Sequence, residues 1–439
     1  MKKKFTYLCA MAGALCMFTA CSDDDKLPGE SLETKTYTEA DGLTLNLDNE
    51  AVTGQVVTFA PDANADSKGV ITIAGAPLDL GAIIGGVMPT DAAATQPVFA
   101  LPTSSIIPGS TSVSFPVDLV GSADNCTFEG TSSTDYCTFE YAGNVTKETM
   151  TLNISKIALK NTSMAGTYTF PELYGDNGWG GLEPKAYNIM RILWKSDKNA
   201  MVDFGSGTPV PMPIDGIFGM ALVMPMIPTG DNPEDKTSVL MFLYDTLKEV
   251  TLGTDGSVTA KYVDAEDLTG TPVESPKGLA RYVVVDDHTL RLFIDPAAII
   301  KSTVEKASKS SRTLSIESLI EGLMTQVVPM LSNGVPVTYG PCLADGEGTI
   351  REDFAATSFY LNTETLLPIL KVFAPVLGDE DVLNKIAESM VGDVENMTPA
   401  EKEQAEGMAK MATSLLKSLP DVIDGTTRIE LGINLTKAE

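Results

Sequence analysis

Apolar and polar residues alternate in short runs through the first third of the chain. Leu43, Leu45 and Leu47 are spaced two apart, as are Val57 and Phe59, Ile71 and Ile73, and Val113, Phe115 and Val117. Met150, Leu152 and Ile154 keep the same period. A period of two puts every apolar side chain on one face of a strand, so these runs predict half-buried β-strands. Gly, Pro, Asn and Asp cluster between them. Residues 76–110 form an Ala/Gly/Pro-rich insertion with no clear period. The spacing predicts an all-β sandwich or partial barrel over 37–170.

From residue 171 the pattern changes to strand hairpins interleaved with apolar helices. Asp255-Gly256 between 248–252 and 257–263 is a strong hairpin signal, and 281–285 with 289–294 and 335–339 with 357–361 make further pairs. Helices are expected near 215–227, 234–246, 296–308, 315–331, 363–377, 380–391 and 399–417, with a closing strand at 427–435. Four of the helices reach a Pro near their ends, at Pro225, Pro329, Pro375 and Pro420, where the missing N–H predicts a stop or kink. The fold class is therefore α+β: a β domain at 37–170, then a larger antiparallel-sheet domain at 171–439 with inserted apolar helices. Helices apolar nearly all round are buried or line a cavity. Leu366, Leu370, Phe373, Met220 and Met224 are the candidate lining of an apolar pocket, with a plain core as the rival reading.

The first twenty residues read as an export signal: Lys2, Lys3 and Lys4, then an apolar run to Ala20, too short for a comfortable membrane span. Phe18-Thr19-Ala20-Cys21 is what a lipoprotein signal peptidase accepts, so residues 1–20 would be removed and Cys21 lipidated. Residues 21–36 form an acidic tether, opening Ser22-Asp23-Asp24-Asp25-Lys26. That run resembles the tag by which Bacteroidetes lipoproteins reach the outer face of the outer membrane. With the closing run Ile429–Lys437, the chain resembles a Bacteroidetes outer-membrane lipoprotein family of about this length that carries only a domain of unknown function. The resemblance implies an outer-membrane location, lipid-anchored and facing the cell exterior, and supplies no active site.

Charge narrows the partners. Asp and Glu number 59 against 31 Lys and Arg, a net charge of −28, so nucleic acid is not an expected partner. With a single His, sites that need two imidazoles are excluded. His288, beside Asp286 and Asp287, reads as a turn residue, and no Gly-x-Ser-x-Gly elbow accompanies it. Asp62-x-Asn64-x-Asp66 opens like a calcium loop, but Ile73 stands where the bidentate Glu belongs, so a polar hairpin loop accounts for it. No residue pattern points to a cofactor or a metal.

Two further sites are expected. Trp179 and Tyr174 flank a Gly-rich loop and form a candidate glycan platform, whereas Trp194 follows an apolar run and reads as core. Cys126-Thr127-Phe128-Glu129 and Cys137-Thr138-Phe139-Glu140 repeat one strand-like run around Gly130–Ser133. A hairpin centred between Thr131 and Ser132 would oppose Cys126 and Cys137 as a disulfide; a turn shifted by one residue would leave both thiols free. The leading functional reading is a lipid-anchored, surface-exposed, non-catalytic binding or adhesion-type protein, with glycan among its ligand classes. The alternatives are a carrier of a hydrophobic small molecule among the C-terminal helices and a carboxylate glycoside hydrolase, which 59 acids leave open.

Overall fold

The computed structural model describes residues 27–62, 67–79, 100–101, 103–176, 179, 181–228, 236–264, 268–294, 330, 333–391 and 398–438. The alternating runs become β1 (Lys35–Tyr37), β2 (Leu43–Leu47), β3 (Glu50–Ala51), β4 (Gln55–Pro61), β5 (Lys68–Gly75), β6 (Leu78–Asp79), β7 (Ala100–Leu101), β8 (Ser112–Asp118), β9 (Val120–Gly121), β10 (Asn125–Ser133), β11 (Cys137–Thr146) and β12 (Met150–Leu159). One sheet has the order β1-β4-β5-β8 and another β3-β2-β12-β11-β10-β9, while β6 and β7 pair separately. Val57, Phe59, Ile71 and Ile73 from the first sheet share a core with Met150, Leu152 and Ile154 from the second, all at 0% exposure. The Phe115 ring lies 5.3 Å from Phe139 and 4.7 Å from Tyr141, joining the sheets. Each such ring pair contributes about 0.5–1.5 kcal/mol beyond its buried area. Of the two expected β architectures, this is the sandwich.

The second region supplies β13 (Gly166–Thr169), β14 (Tyr174–Asp176), β15 (Leu182–Pro184), β16 (Met190–Ser196), β17 (Ala200–Val202), β18 (Val210–Met212), β19 (Pro225–Pro228), β20 (Lys236–Ser238), β21 (Leu247–Leu252), β22 (Ser257–Tyr262), β23 (Val273–Glu274), β24 (Ala280–Val284), β25 (Thr289–Ile294), β26 (Val335–Pro341), β27 (Thr357–Leu361) and β28 (Thr426–Lys437). Its helices are α1 (Ala186–Ile189), α2 (Ile214–Val223), α3 (Val239–Thr246), α4 (Thr363–Leu377), α5 (Glu380–Val391) and α6 (Pro399–Asp424). The class is α+β, as the sequence predicts, but the antiparallel sheet closes. The order runs β13-β21-β22-β24-β25-β26-β27-β28, and β28 pairs back with β13, which makes an eight-stranded barrel. β13, placed by its sequence in the N-terminal domain, belongs to this barrel. β16 pairs with β28 outside the ring.

Local signals set the helix starts. Ser238 caps α3 through its hydroxyl, which accepts from the Met241 amide at 3.1 Å. Asn362 serves α4 in the same way through the Thr365 amide at 3.1 Å. The prolines need correction. Pro225 does follow α2, but Pro375 lies inside α4 and Pro420 inside α6, which continues to Asp424. An interior Pro costs about 3 kcal/mol. Burial of Val422 and Ile423 at 0% exposure, with Leu415 and Leu419 packed beside them, offsets that cost. The helices expected at 296–308 and 315–331 lie almost wholly outside the described residues, as does the Pro329 end.

The Cys126–Cys137 disulfide is overturned by the hairpin register. β10 and β11 pair Cys126 with Val145 and Ser133 with Thr138. The turn sits at Thr134–Cys137, where the Thr134 hydroxyl accepts from the Tyr136 and Cys137 amides at 3.2 and 3.1 Å. The two cysteines therefore stand eight strand positions apart, about 26 Å, and both are buried free thiols. Gly130 is no turn glycine. It lies opposite Tyr141, and a Cβ there would come 2.6 Å from the Tyr141 hydroxyl, so glycine makes room for that ring.

Candidate functional site

The barrel sorts its side chains by register. Leu252 lies opposite Val258 and Val250 opposite Ala260. Ala280, Tyr282 and Val284 oppose Ile294, Leu292 and Leu290. Val337 and Val335 continue from Leu290 and Leu292, and Tyr339 faces Phe359. Phe359 and Leu361 oppose Ile433 and Leu431. This face is the concave one. The rings of Tyr168 on β13 and Phe359 on β27 meet at 5.4 Å although β28 lies between their strands. The other face carries Thr251, Thr259, Thr338 and Arg291, pairs Glu249 with Lys261 at 2.8 Å, and also holds Val283 and Phe293, buried at 1% and 4% exposure. No described helix is long and apolar enough to cross a membrane.

One end of the barrel is shut. Tyr168, Leu252, Tyr282, Val284, Leu290 and Leu435 are buried there and join the sandwich core. The Leu159 amide at the end of β12 donates to the Thr254 carbonyl in the β21–β22 turn at 2.9 Å. Gly256 in that turn has φ +83, and a Cβ would meet the Pro108 ring at 2.8 Å, so the sandwich loop presses onto the barrel base where only glycine fits. Tyr168 donates its hydroxyl to the Met164 carbonyl at 2.8 Å, Tyr282 to Gly253 at 3.0 Å and Tyr339 to Asp286 at 2.8 Å. Burial pushes the phenols of all three above the usual tyrosine range. Val250, Leu292 and Ile433, which oppose Tyr168, Tyr282 and Phe359, are half-buried and pack on that core. Leu431 packs on the Leu222 and Leu240 cluster, and toward the other end Val335, Leu361 and Ile294 are half-buried. An eight-stranded barrel is just wide enough to be filled by its own side chains or to hold one small ligand.

The outer side of the wall carries a polar cluster. Arg191 on β16 binds Glu430 at 2.7 Å, donates to the Pro341 carbonyl at 2.7 Å and stacks 3.9 Å over the Tyr360 ring. Ser358 and Asn434 hydrogen-bond at its edge, and Asn434 also donates to the Tyr187 carbonyl at 2.9 Å. Its partners satisfied, the cluster pins β16, β26, β27 and β28 together. Cys342 beside it is buried, and burial pushes its thiol up, which makes it a poor nucleophile. Asp215 and Glu347 converge on Lys195 at 2.7 and 2.9 Å. Burial works to raise the Asp215 carboxyl, but hydrogen bonds from Lys195 and the Gly216 amide outweigh it and hold the carboxyl below its ordinary range. A general acid needs the opposite shift.

The helical pocket residues separate. Leu366 and Leu370 pack into a solid core with Trp194, Val422 and Ile423. Phe373 is half-buried, while Met220 on α2 and Met224 at its C-terminal cap are 45% and 41% exposed. These five do not line one pocket. The Trp194 indole donates to the Thr426 hydroxyl at 2.9 Å, a core role as expected. Trp179 is 93% exposed at the tip of the β14–β15 hairpin and Tyr174 is 41% exposed on β14. His288 is an exposed turn residue whose amide donates to the Asp286 carboxylate. Cys21 and the tag Ser22, Asp23, Asp24, Asp25 and Lys26 lie outside the described residues, as do residues 63–66 of the acidic loop. The barrel interior was missed by sequence reasoning. Its signal was present: the β21, β24, β25 and β26 runs each put aliphatic or aromatic residues on one face. Comparison with protein-family models, with curated proteins and with solved structures finds no match for this chain.

Proposed function

We propose that this chain is a lipid-anchored binding protein whose barrel holds an apolar small molecule. The half-buried aliphatic lining above a closed aromatic base supports the reading: such a surface is stabilised by an apolar guest at about 25 cal/mol per Å² removed from water. It moves the carrier function from the helices to the barrel and keeps the expected anchor at Cys21. The outward-facing location rests on the acidic tag and on the lipoprotein resemblance. A second reading, a glycan platform at the hairpin tip, is favoured by the exposure of Trp179.

The test uses mature full-length protein and the apolar dye N-phenylnaphthylamine. The dye should gain fluorescence with the wild type, and solvent extraction should release a lipid-like molecule. Val335→Trp and Leu361→Trp add bulk inside the barrel and should weaken dye binding about tenfold or more, with the circular dichroism spectrum kept. Dye binding unaffected by both would reject the barrel as the site. In cells, Cys21→Ala should abolish palmitate labelling and membrane association.

A further inference from the structure

We infer that the ligand is a single-chain amphiphile, inserted hydrocarbon-end first with its polar group left at the half-buried end of the barrel. The inference rests on the carrier reading and adds the ligand class and its orientation. At the base, the three tyrosines that bring hydroxyls to the inner face spend each of them on a backbone carbonyl, at 2.8–3.0 Å. A tyrosine hydroxyl has one proton, so none is left to donate to a guest. The inner registers of β24 and β25 carry only Ala280, Tyr282, Val284, Leu290, Leu292 and Ile294. Those of β21 and β26 add Val250, Leu252, Val335 and Val337. Lys437, which shares the register of Tyr168, is exposed, with its ammonium 5.9 Å from that ring.

A carboxylate or phosphate pushed among these aliphatic and aromatic side chains would be desolvated without a donor from any of them, which costs several kcal/mol even after relaxation. A methyl terminus there costs nothing and gains contact with the half-buried Phe359 ring above the sealed Tyr168 and Tyr282. From Leu290 to Ile294 the lining runs four residues along β25, about 13 Å. That length suits an extended alkyl chain better than a compact polycyclic ring system.

The experiment is displacement of N-phenylnaphthylamine from the wild-type chain by four ligands of one chain length. These are a saturated fatty acid, its alcohol, its methyl ester and the corresponding α,ω-dicarboxylic acid. The first three should displace the dye with affinities within about threefold of each other, because their differing ends stay in water. The dicarboxylic acid should bind about a hundredfold more weakly or worse, since one charge must go to the base. A dicarboxylic acid as potent as the fatty acid overturns the orientation. So does loss of binding by the alcohol and ester alone, which would place a carboxylate partner inside. If the dye binds and no amphiphile displaces it, the ligand class falls while the apolar barrel stands. If the dye itself fails to bind, both fall.

Discussion

The sandwich and the barrel are built from the same pattern and do different things with it. Both alternate apolar and polar residues with a period of two. In the sandwich the two apolar faces close on each other, and Phe59, Ile71, Met150 and Leu152 reach 0% exposure. In the barrel one apolar face curls round on itself. Its base, where Tyr282 is also at 0%, is plugged by rings and by the sandwich, and its far half keeps Ile294, Val335 and Leu361 half-buried. A flat pair of sheets fills its interior from both sides, whereas a closed barrel has a fixed girth that its side chains fill or leave for a guest. Apolar alternation therefore specifies a buried face without saying what covers it.

The largest expected effect sets one leucine against another. Leu152→Ala in the sandwich should cost about 2–5 kcal/mol, the transfer term plus a cavity that close packing cannot collapse. Leu361→Ala in the ligand-free barrel should cost only about 1 kcal/mol, because its side chain is half-buried and belongs to none of the packed cores. Urea unfolding of both variants, fitted with a common m-value, measures the difference. Equal costs would mean that the barrel is packed as solidly as the sandwich.

The hairpins were legible because local chemistry fixes them: Asp255-Gly256 turns the chain whatever the rest of the protein does. Closure of the ring was not legible. It depends on β13, four residues long, meeting the end of β28 more than two hundred residues later, and no local signal encodes that pairing. The disulfide failed for a related reason. Gly130 reads as a turn former, yet the Tyr141 ring claims its space and Thr134 makes the turn instead. Pro420 reads as a stop, yet burial of the residues after it outweighs its local cost. The apolar pocket was expected on helices because their all-round hydrophobicity stands out in a sequence, but Leu366 and Leu370 are used up in packing against the Trp194 core while Met220 and Met224 face outward.

An intermediate effect is expected at alkaline pH. Burial raises the phenols of Tyr37 and Tyr141 in the sandwich and of Tyr168, Tyr282 and Tyr339 in the barrel. The folded protein therefore holds phenolic protons that the unfolded chain releases near pH 10. Their contribution to stability is complete below that pH and is lost as pH rises through the higher folded values. The tyrosinate absorbance should rise together with the loss of the circular dichroism signal, since these phenols ionise as the fold opens. Tyr282→Phe sharpens the contrast between regions. Near neutral pH it should cost about 1–3 kcal/mol, because the Gly253 carbonyl loses its donor. Above pH 10 its stability should fall less steeply than that of the wild type. A slope unchanged by Tyr282→Phe would move the alkaline sensitivity to the other buried tyrosines, Tyr168 and Tyr339 in the barrel and Tyr37 and Tyr141 in the sandwich.

The smallest expected effect on stability separates the barrel from the protein's outer surface. Trp179 is 93% exposed and Leu182 70% exposed on the β14–β15 hairpin, which pairs Tyr174 with Pro184 and Asp176 with Leu182. A side chain that remains in water after folding adds little to the folded state, so Trp179→Ala should change stability by no more than about 0.5 kcal/mol. Its ring face is a stacking surface all the same, and sugar rings stack on such faces. Titrating the wild type and Trp179→Ala with mixed oligosaccharides, and in parallel with N-phenylnaphthylamine, tells the two surfaces apart. If the hairpin binds glycans, the variant should lose oligosaccharide binding and keep dye affinity. No oligosaccharide binding by either form removes the glycan reading and leaves the barrel as the binding element. Loss of dye affinity in Trp179→Ala would instead show that the hairpin and the barrel act as one site, and the comparison between an apolar interior and a separate aromatic tip would fail.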